Sequence, residues 1–525
     1  MSNVILGKPR FVPPEDGTVR DLVFFVAGTT DPVNMNSKLY EADKNYWRAS
    51  ATNFWSKVKE LKPQYLDLHI EDTFFSWSGD NSTEERKKGA DRMLDLLIRV
   101  YPGFKNREAH LHLIGHSHGG NVINSFTELI TKDDRFPPLW KVKSITYLST
   151  PFFQKKHQLN HTKLHADCKI INVHNDYDLT QQLIADFSLI NLEVLLKSFQ
   201  KDNFDEGLKM IKSVKMDVIM DYFKDLNIPF TDSFKPKAIA ARRETAKALE
   251  GITNILDGLT WYTYSLNAKS TKLNNELSSI HLLLVNFYVW AQFSCAEFYK
   301  EPPKSYDKVQ FINDLGLPSV LQTLNKLLDI KSSPENSYLL STLANVFAEK
   351  KGISDSIEET SWTPKKQTKG LSILDLSIVN KDIYHTRNKK TNFDNFLKGA
   401  QDALKKGEFE DLLMRLFSQF IKPKQMKNII DIIGYTNWLL PDVLKKQSEV
   451  LKGNLEIYYK YVNKYYAFLV TEDDEIQFKD LGKIPGSIPY LATASHGLSH
   501  KQFWPEVEKG LKSAFSSGVN PGYVK

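Results

Sequence analysis

Cysteine is nearly absent. Cys168 and Cys295 are the only two in 525 residues, and both lie in apolar stretches. A disulfide framework is therefore excluded, and free thiols are expected. Metal spacings are missing as well: there is no H-E-x-x-H and no CxxC. The acidic stretches DNFDEG and TEDDE lack the Asp/Asn alternation and the glycine of a calcium loop. Phosphate-loop and dinucleotide motifs are absent too, so neither a metal nor a cofactor is expected. The opening residues, MSNVILGKPRFVPPEDG, hold no basic segment followed by an apolar run. The expectation is a chain that is cytoplasmic in the producing cell, or that leaves it by a route needing no cleaved signal. Long charge runs of one sign are missing: 69 Lys and Arg are interspersed with 63 Asp and Glu, for a net charge of +6. A nucleic-acid partner is not expected from that pattern, whereas an anionic membrane surface is compatible with it. One apolar run, Ile280 to Tyr299, approaches the length of a bilayer span. It carries His281, Asn286, Gln292 and Glu297, which are costly in lipid. A buried helix is the preferred reading, with docking on a membrane surface as the alternative.

What is present begins with a rhythm. LVFFVA (Leu22 to Ala27), YLDLHI (Tyr65 to Ile70), HLHLIG (His110 to Gly115), KSITYL (Lys143 to Leu148) and CKIINV (Cys168 to Val173) read as strands. Helical spacing separates them at Tyr46 to Leu61, Ser82 to Tyr101 and Asn121 to Thr131. Ser82 is placed to cap its helix, with Glu85 completing a capping box. Strand alternating with helix predicts an α/β fold with a mostly parallel sheet covered on both faces. From about Leu179 to Asp480 helical periodicity dominates, and no internal repeat is found. After Pro485 a strand-like run, SIPYLATAS, returns. The expected organisation is a core at 1–180, a helical cap or insertion at 181–480, and a closing core segment at 481–525.

The stretch GHSHGG, Gly115 to Gly120, sits between a predicted strand and a predicted helix. In that context G-x-S-x-G marks a nucleophile on a sharp turn, and Ser117 is the candidate. The N–H of His118 then lies at a helix start, where it can stabilise an oxyanion. A second donor belongs on the loop after an earlier strand, and Thr29 or Thr30 in FVAGTT fits. An acid is needed to orient the base. NVHNDYDLTQ offers Asp178, which is preferred, and Asp176. The base is expected last in chain order, in SHGLSHKQFWPEV. His500, just ahead of a helix start, is preferred over His496. His116 and His118 flank Ser117 too closely to serve as its base.

These elements resemble the α/β-hydrolase superfamily, on its lipase side. FVAGTT, GHSHGG, YLSTPFF (Tyr147 to Phe153), NVHNDYDLTQ and the terminal histidine segment carry the likeness. FFSWSGDNSTEERKKGADRML (Phe74 to Leu94) looks like a segment of bacterial lipase-like hydrolases, including lipase effectors of type VI secretion systems. The resemblance covers about the first 190 residues and the last 40, not the helical block. One departure is Ala27, where lipases usually carry a histidine. The resemblance implies a serine hydrolase of lipid carboxylic esters, a lipase or phospholipase without cofactor. It further implies a phospholipid substrate, peripheral membrane contact, and, for a secreted antibacterial toxin, an immunity protein and a secretion-apparatus partner. A thioesterase, acyltransferase or peptidase with the same triad is the alternative. So is a membrane-perturbing or interaction protein on a hydrolase scaffold.

Overall fold

Seven consecutive buried residues, Arg20–Val26, form β1, the second strand in from one edge of a six-stranded parallel sheet. The structure, a computed structural model, describes residues 20–28, 47, 54–70, 75, 77–79, 82–153, 155–183, 202–224, 235–266, 268, 270–301, 316–329, 339–351, 360–361, 367–387, 389–406, 408–418, 423–437, 440–466, 485–488, 490–500 and 502–523. By internal contacts the chain divides into two units. One comprises Met1–Asn191, Asp355–Lys390 and Pro489–Lys525, and the other Leu192–Ser354 and Thr391–Ile488.

The first unit is α/β. Besides β1 its sheet holds β2 (Leu68–Ile70), β3 (Ala109–His116), β4 (Trp140–Leu148), β6 (Leu164–His174) and β8 (Ser372–Ser377). All six strands are parallel, in the order β2-β1-β3-β4-β6-β8. A separate two-residue ladder joins β5 (Phe152–Phe153) to β7 (Thr360–Ser361). Strand side chains alternate faces, and β1 shows the result. Leu22, Phe24 and Val26 pack with Met93 and Leu97 of α2 (Thr83–Val100) and with Val122 and Phe126 of α3 (Gly119–Leu129). Val23 and Phe25 face the other way, with Phe54 and Val58 of α1 (Phe54–Lys59) and Val507 and Leu511 of α15 (Trp504–Lys512). Each such side chain contributes about 1.5–3 kcal/mol by leaving water. Helices thus cover both faces, as the strand–helix rhythm predicts. The Ser82 cap also holds: its Oγ accepts from Glu85 N at 3.1 Å.

Two expectations need correction. The run 181–480 is not one uninterrupted helical insertion, because 355–390 returns to the first unit and supplies β8. The run SIPYLATAS is not a strand either. Tyr490–Ala494 is a π-helical turn, followed by a helical turn at Ser495–Gly497. The physical reason is tertiary: the Tyr490 hydroxyl and Ser495 Oγ donate to the buried carboxylate of Asp382, and Ala492 O accepts from Thr180 Oγ1.

The second unit is helical. It contains α5 (Asp202–Lys212), α6 (Met216–Lys224), α7 (Lys235–Ser265), α8 (Thr271–Tyr299), α9 (Leu317–Leu327), α10 (Leu339–Lys351), most of α11 (Lys390–Lys406), α12 (Phe409–Phe417), α13 (Pro423–Thr436) and α14 (Asp442–Tyr465). Helices α7 and α8 run antiparallel. Cys295 Sγ donates to Ala246 O at 3.4 Å near one end, and Thr263 Oγ1 meets the His281 ring at 3.1 Å near the other. Helix α8 contains the apolar run noted in the sequence and is long and apolar enough to cross a membrane by length and composition. It is not the buried helix expected from its composition, since 22% of its most apolar window is buried. Leu282, Val289 and Phe293 are exposed along it.

Candidate active site

Ser117 follows β3 and adopts φ = 52°, a left-handed conformation that L side chains rarely take. Such a residue costs on the order of 1–3 kcal/mol and persists only where its surroundings hold it. Here its N–H donates to Leu148 O at 2.8 Å, and its carbonyl accepts from Gly120 N at 3.1 Å. The flanking glycines are required by close approach. A Cβ on Gly115 would lie 2.7 Å from Gly120 N and from Ile123 Cδ1. A Cβ on Gly119 would collide with the carbonyl oxygen of Val26. That collision also locates the site, because the start of α3 abuts the end of β1. The backbone N–H of His118 sits at the α3 N-terminus, where the helix dipole favours negative charge. Thr29 and Thr30, the other candidate oxyanion donors, lie outside the described residues. The strand end leading towards them is pinned by the Trp77 indole, which donates to Ala27 O at 2.9 Å.

Asp178 follows β6 and is fully buried. Its Oδ1 accepts from Gln181 N at 2.8 Å, capping the short helix α4 (Leu179–Leu183). Its Oδ2 lies 2.7 Å from Nδ1 of His496. The structure brings Asp178 together with His496, whereas the sequence reading preferred His500. His500 closes the 3-10 turn Leu498–His500, and its side chain lies outside the described residues. The physical reason for the difference is the helical turn at Ser495–Gly497, which carries the His496 backbone into the sheet end. There the His496 carbonyl accepts from Ser149 Oγ at 3.2 Å. The His496 ring lies 4.6 Å from the ring of His116, the residue before Ser117. Asp176 is turned elsewhere: it lies 3.6 Å from His174 Nδ1, and that neighbouring imidazole holds its carboxyl below the usual range.

A further residue, not singled out by the sequence, ties these loops together. Asp382 is buried, five residues past the end of β8 at Ser377. Its Oδ2 accepts from Asn175 Nδ2 at 2.8 Å and from Ser495 Oγ at 2.6 Å. Its Oδ1 accepts from the Tyr490 hydroxyl at 2.7 Å and from Tyr384 N at 2.9 Å. One carboxylate thus joins the turn before Asp178 to the turn that bears His496. Thr180 Oγ1, donating to Ala492 O at 2.7 Å, adds a second link.

His118 is clamped by its side chain. Asn121 Nδ2 and Arg86 Nη1 lie 3.1 and 3.4 Å from its Nδ1, and Phe153 stacks on the ring. Among the described residues no group of three or more His, Cys, Asp or Glu could hold a metal ion. Chemically, the arrangement offers a hydroxyl on a strained turn, a helix-terminal N–H beside it, and an imidazole whose Nδ1 is oriented by a buried carboxylate. No family model, curated protein or solved structure matches the chain.

Proposed function

We propose that the chain is a serine hydrolase of the α/β-hydrolase type, cleaving carboxylic esters of lipids as a phospholipase or lipase. The observation that carries this reading is the 2.7 Å contact between His496 Nδ1 and the buried Asp178, at the sheet end that also bears Ser117. A donor bond to Asp178 fixes the tautomer that leaves Nε2 free to accept a proton. Ser117 Oγ attacks the ester carbonyl while His496 takes its proton. The tetrahedral oxyanion is held by the His118 N–H, with the loop after β1 as the source of a second donor. His496 returns the proton to the departing alcohol. Water, activated by the same imidazole, then releases the acid from Ser117. The lipid part of the reading is supported by the exposed apolar side chains of α8, which suit an acyl-chain boundary.

The test is fatty-acid release from mixed phospholipid vesicles. Wild type is expected to release acid, and Ser117→Ala to lose about four orders of magnitude in rate. Equal release by both would end the serine mechanism.

A further inference from the structure

A cleft of about 490 Å³ opens beside α2 and α3, and it is lined by Lys87, Lys132, Lys155, Glu128, Ser125 and His157. It lies about two helical turns along α3 from the Ser117 elbow. Its floor is ordered by a buried chain of hydrogen bonds whose direction can be worked out. Arg86 is buried and carries only donors, so its Nε–H donates to His157 Nε2 at 2.9 Å. His157 Nε2 is then an acceptor, and in the neutral ring the proton sits on Nδ1. Burial first, and then the Arg86 charge, hold the His157 pKa down at about 2, which keeps the ring neutral. Nδ1–H therefore donates to Ser125 Oγ, 2.5 Å away. Ser125 Oγ has no other hydrogen-bond partner among the described residues. Its own hydrogen is left to be donated into the cleft. His157 also holds φ = 48°, so the ring is kept in place against backbone strain. At the walls Lys132 is ion-paired with Glu128 at 2.5 Å, so Lys87 and Lys155 bring positive charge beyond that pair, and with the donor at the floor they make a receptor for an acceptor-rich anion.

We propose that this cleft binds the phosphate group of an anionic ligand, with Ser125 Oγ–H donating to a phosphate oxygen and Lys87 and Lys155 supplying the positive charge. The site is separate from Ser117 and does not depend on the hydrolase reading. A phospholipid headgroup and a soluble phosphate ester share this chemistry.

Calorimetric titration of the full chain with inorganic phosphate tests it. Wild type is expected to bind saturably. Ser125→Ala and the double variant Lys87→Gln/Lys155→Gln are each expected to bind about tenfold more weakly. The double variant alters only exposed side chains, so it keeps the test open should Ser125→Ala fold poorly. Lys62→Gln/Lys105→Gln, on exposed positions elsewhere, is expected to bind like wild type. Co-sedimentation with phosphatidylcholine vesicles, with and without phosphatidic acid, separates the two sources. Retention that depends on phosphatidic acid and is lost in Lys87→Gln/Lys155→Gln identifies a headgroup. Phosphate binding without such retention identifies a soluble ester. Absence of saturable phosphate binding, or unchanged affinity in both cleft variants, overturns the proposal.

Discussion

At the scale of single residues, the two histidines and two aspartates near the site make opposite predictions. His496→Ala should lower ester turnover by about four orders of magnitude, whereas His500→Ala should leave most of it. Asp178→Asn should cost a similar factor by favouring the wrong tautomer, and Asp176→Asn should cost little. Rates on one soluble ester, measured for all four variants, check this. As a candidate nucleophile Ser117 was legible because that proposal depends on neighbours in sequence: glycines on both sides, a strand before, a helix after. The choice between Asp176 and Asp178 was legible only as a pair, since both occupy one turn and only tertiary contact separates them. The proposed base lies four residues before the preferred His500 for a related reason. FWPEV announces a helix, and a histidine just before it looked well placed, but a preceding helical turn delivers His496 instead. Asp382 gave no local signal, because its partners Asn175 and Ser495 lie 207 and 113 residues away.

At the scale of elements, the ends of the strands are set by buried polar contacts that can be broken one at a time. Asp382→Asn removes the charge that Ser495 and Tyr490 donate to, so the turn bearing His496 should loosen. Turnover should fall by about tenfold with KM nearly unchanged, because substrate-binding groups are untouched. Steady-state kinetics separate that result from general unfolding, which lowers the active fraction without this split. At the opposite end of the sheet, Asp21 of β1 lies 2.8 Å from His112 Nε2 and accepts from Ser516 N and Ser517 N at 2.8 and 2.6 Å. Burial alone would raise its pKa, but His112 and the Ser517 contacts outweigh burial and bring it below the usual carboxyl value. A group lowered on folding stabilises the fold above its unfolded pKa and loses that contribution as pH falls through the folded one. Asp21→Asn should therefore be less stable than wild type at pH 7, by about 1–3 kcal/mol, and the gap should shrink in acid. Urea unfolding of both proteins from neutral to acidic pH checks the sign. Most strands were legible from their alternation or apolar runs. SIPYLATAS was not, since its β-prone residues are overridden by bonds to Asp382 and Thr180.

At the scale of the whole molecule, the sheet-bearing unit is assembled from three stretches of chain and the helical unit from two. Composition made the helical unit readable as helical, but not its division by β8, because SILDLS is a mostly exposed edge strand with no apolar run to mark it. The exposed face of α8 carries its own prediction. Phe293→Asp and Leu282→Asp change exposed side chains, so folding and turnover of a soluble ester should stay near wild type. Under the lipid reading, turnover of vesicle phospholipid should fall about tenfold, as each change removes an apolar side chain from the proposed bilayer-facing surface. Comparing the two substrates checks it. The joining of distant stretches also has a consequence in time. Asp178 and His496 are 318 residues apart. At a synthesis rate of about 5–20 residues per second, the acid waits on the order of tens of seconds for its histidine. Under the proposed reading, the nascent chain carries its serine and its carboxylate without a base throughout that interval, so turnover waits on the second of the two stretches.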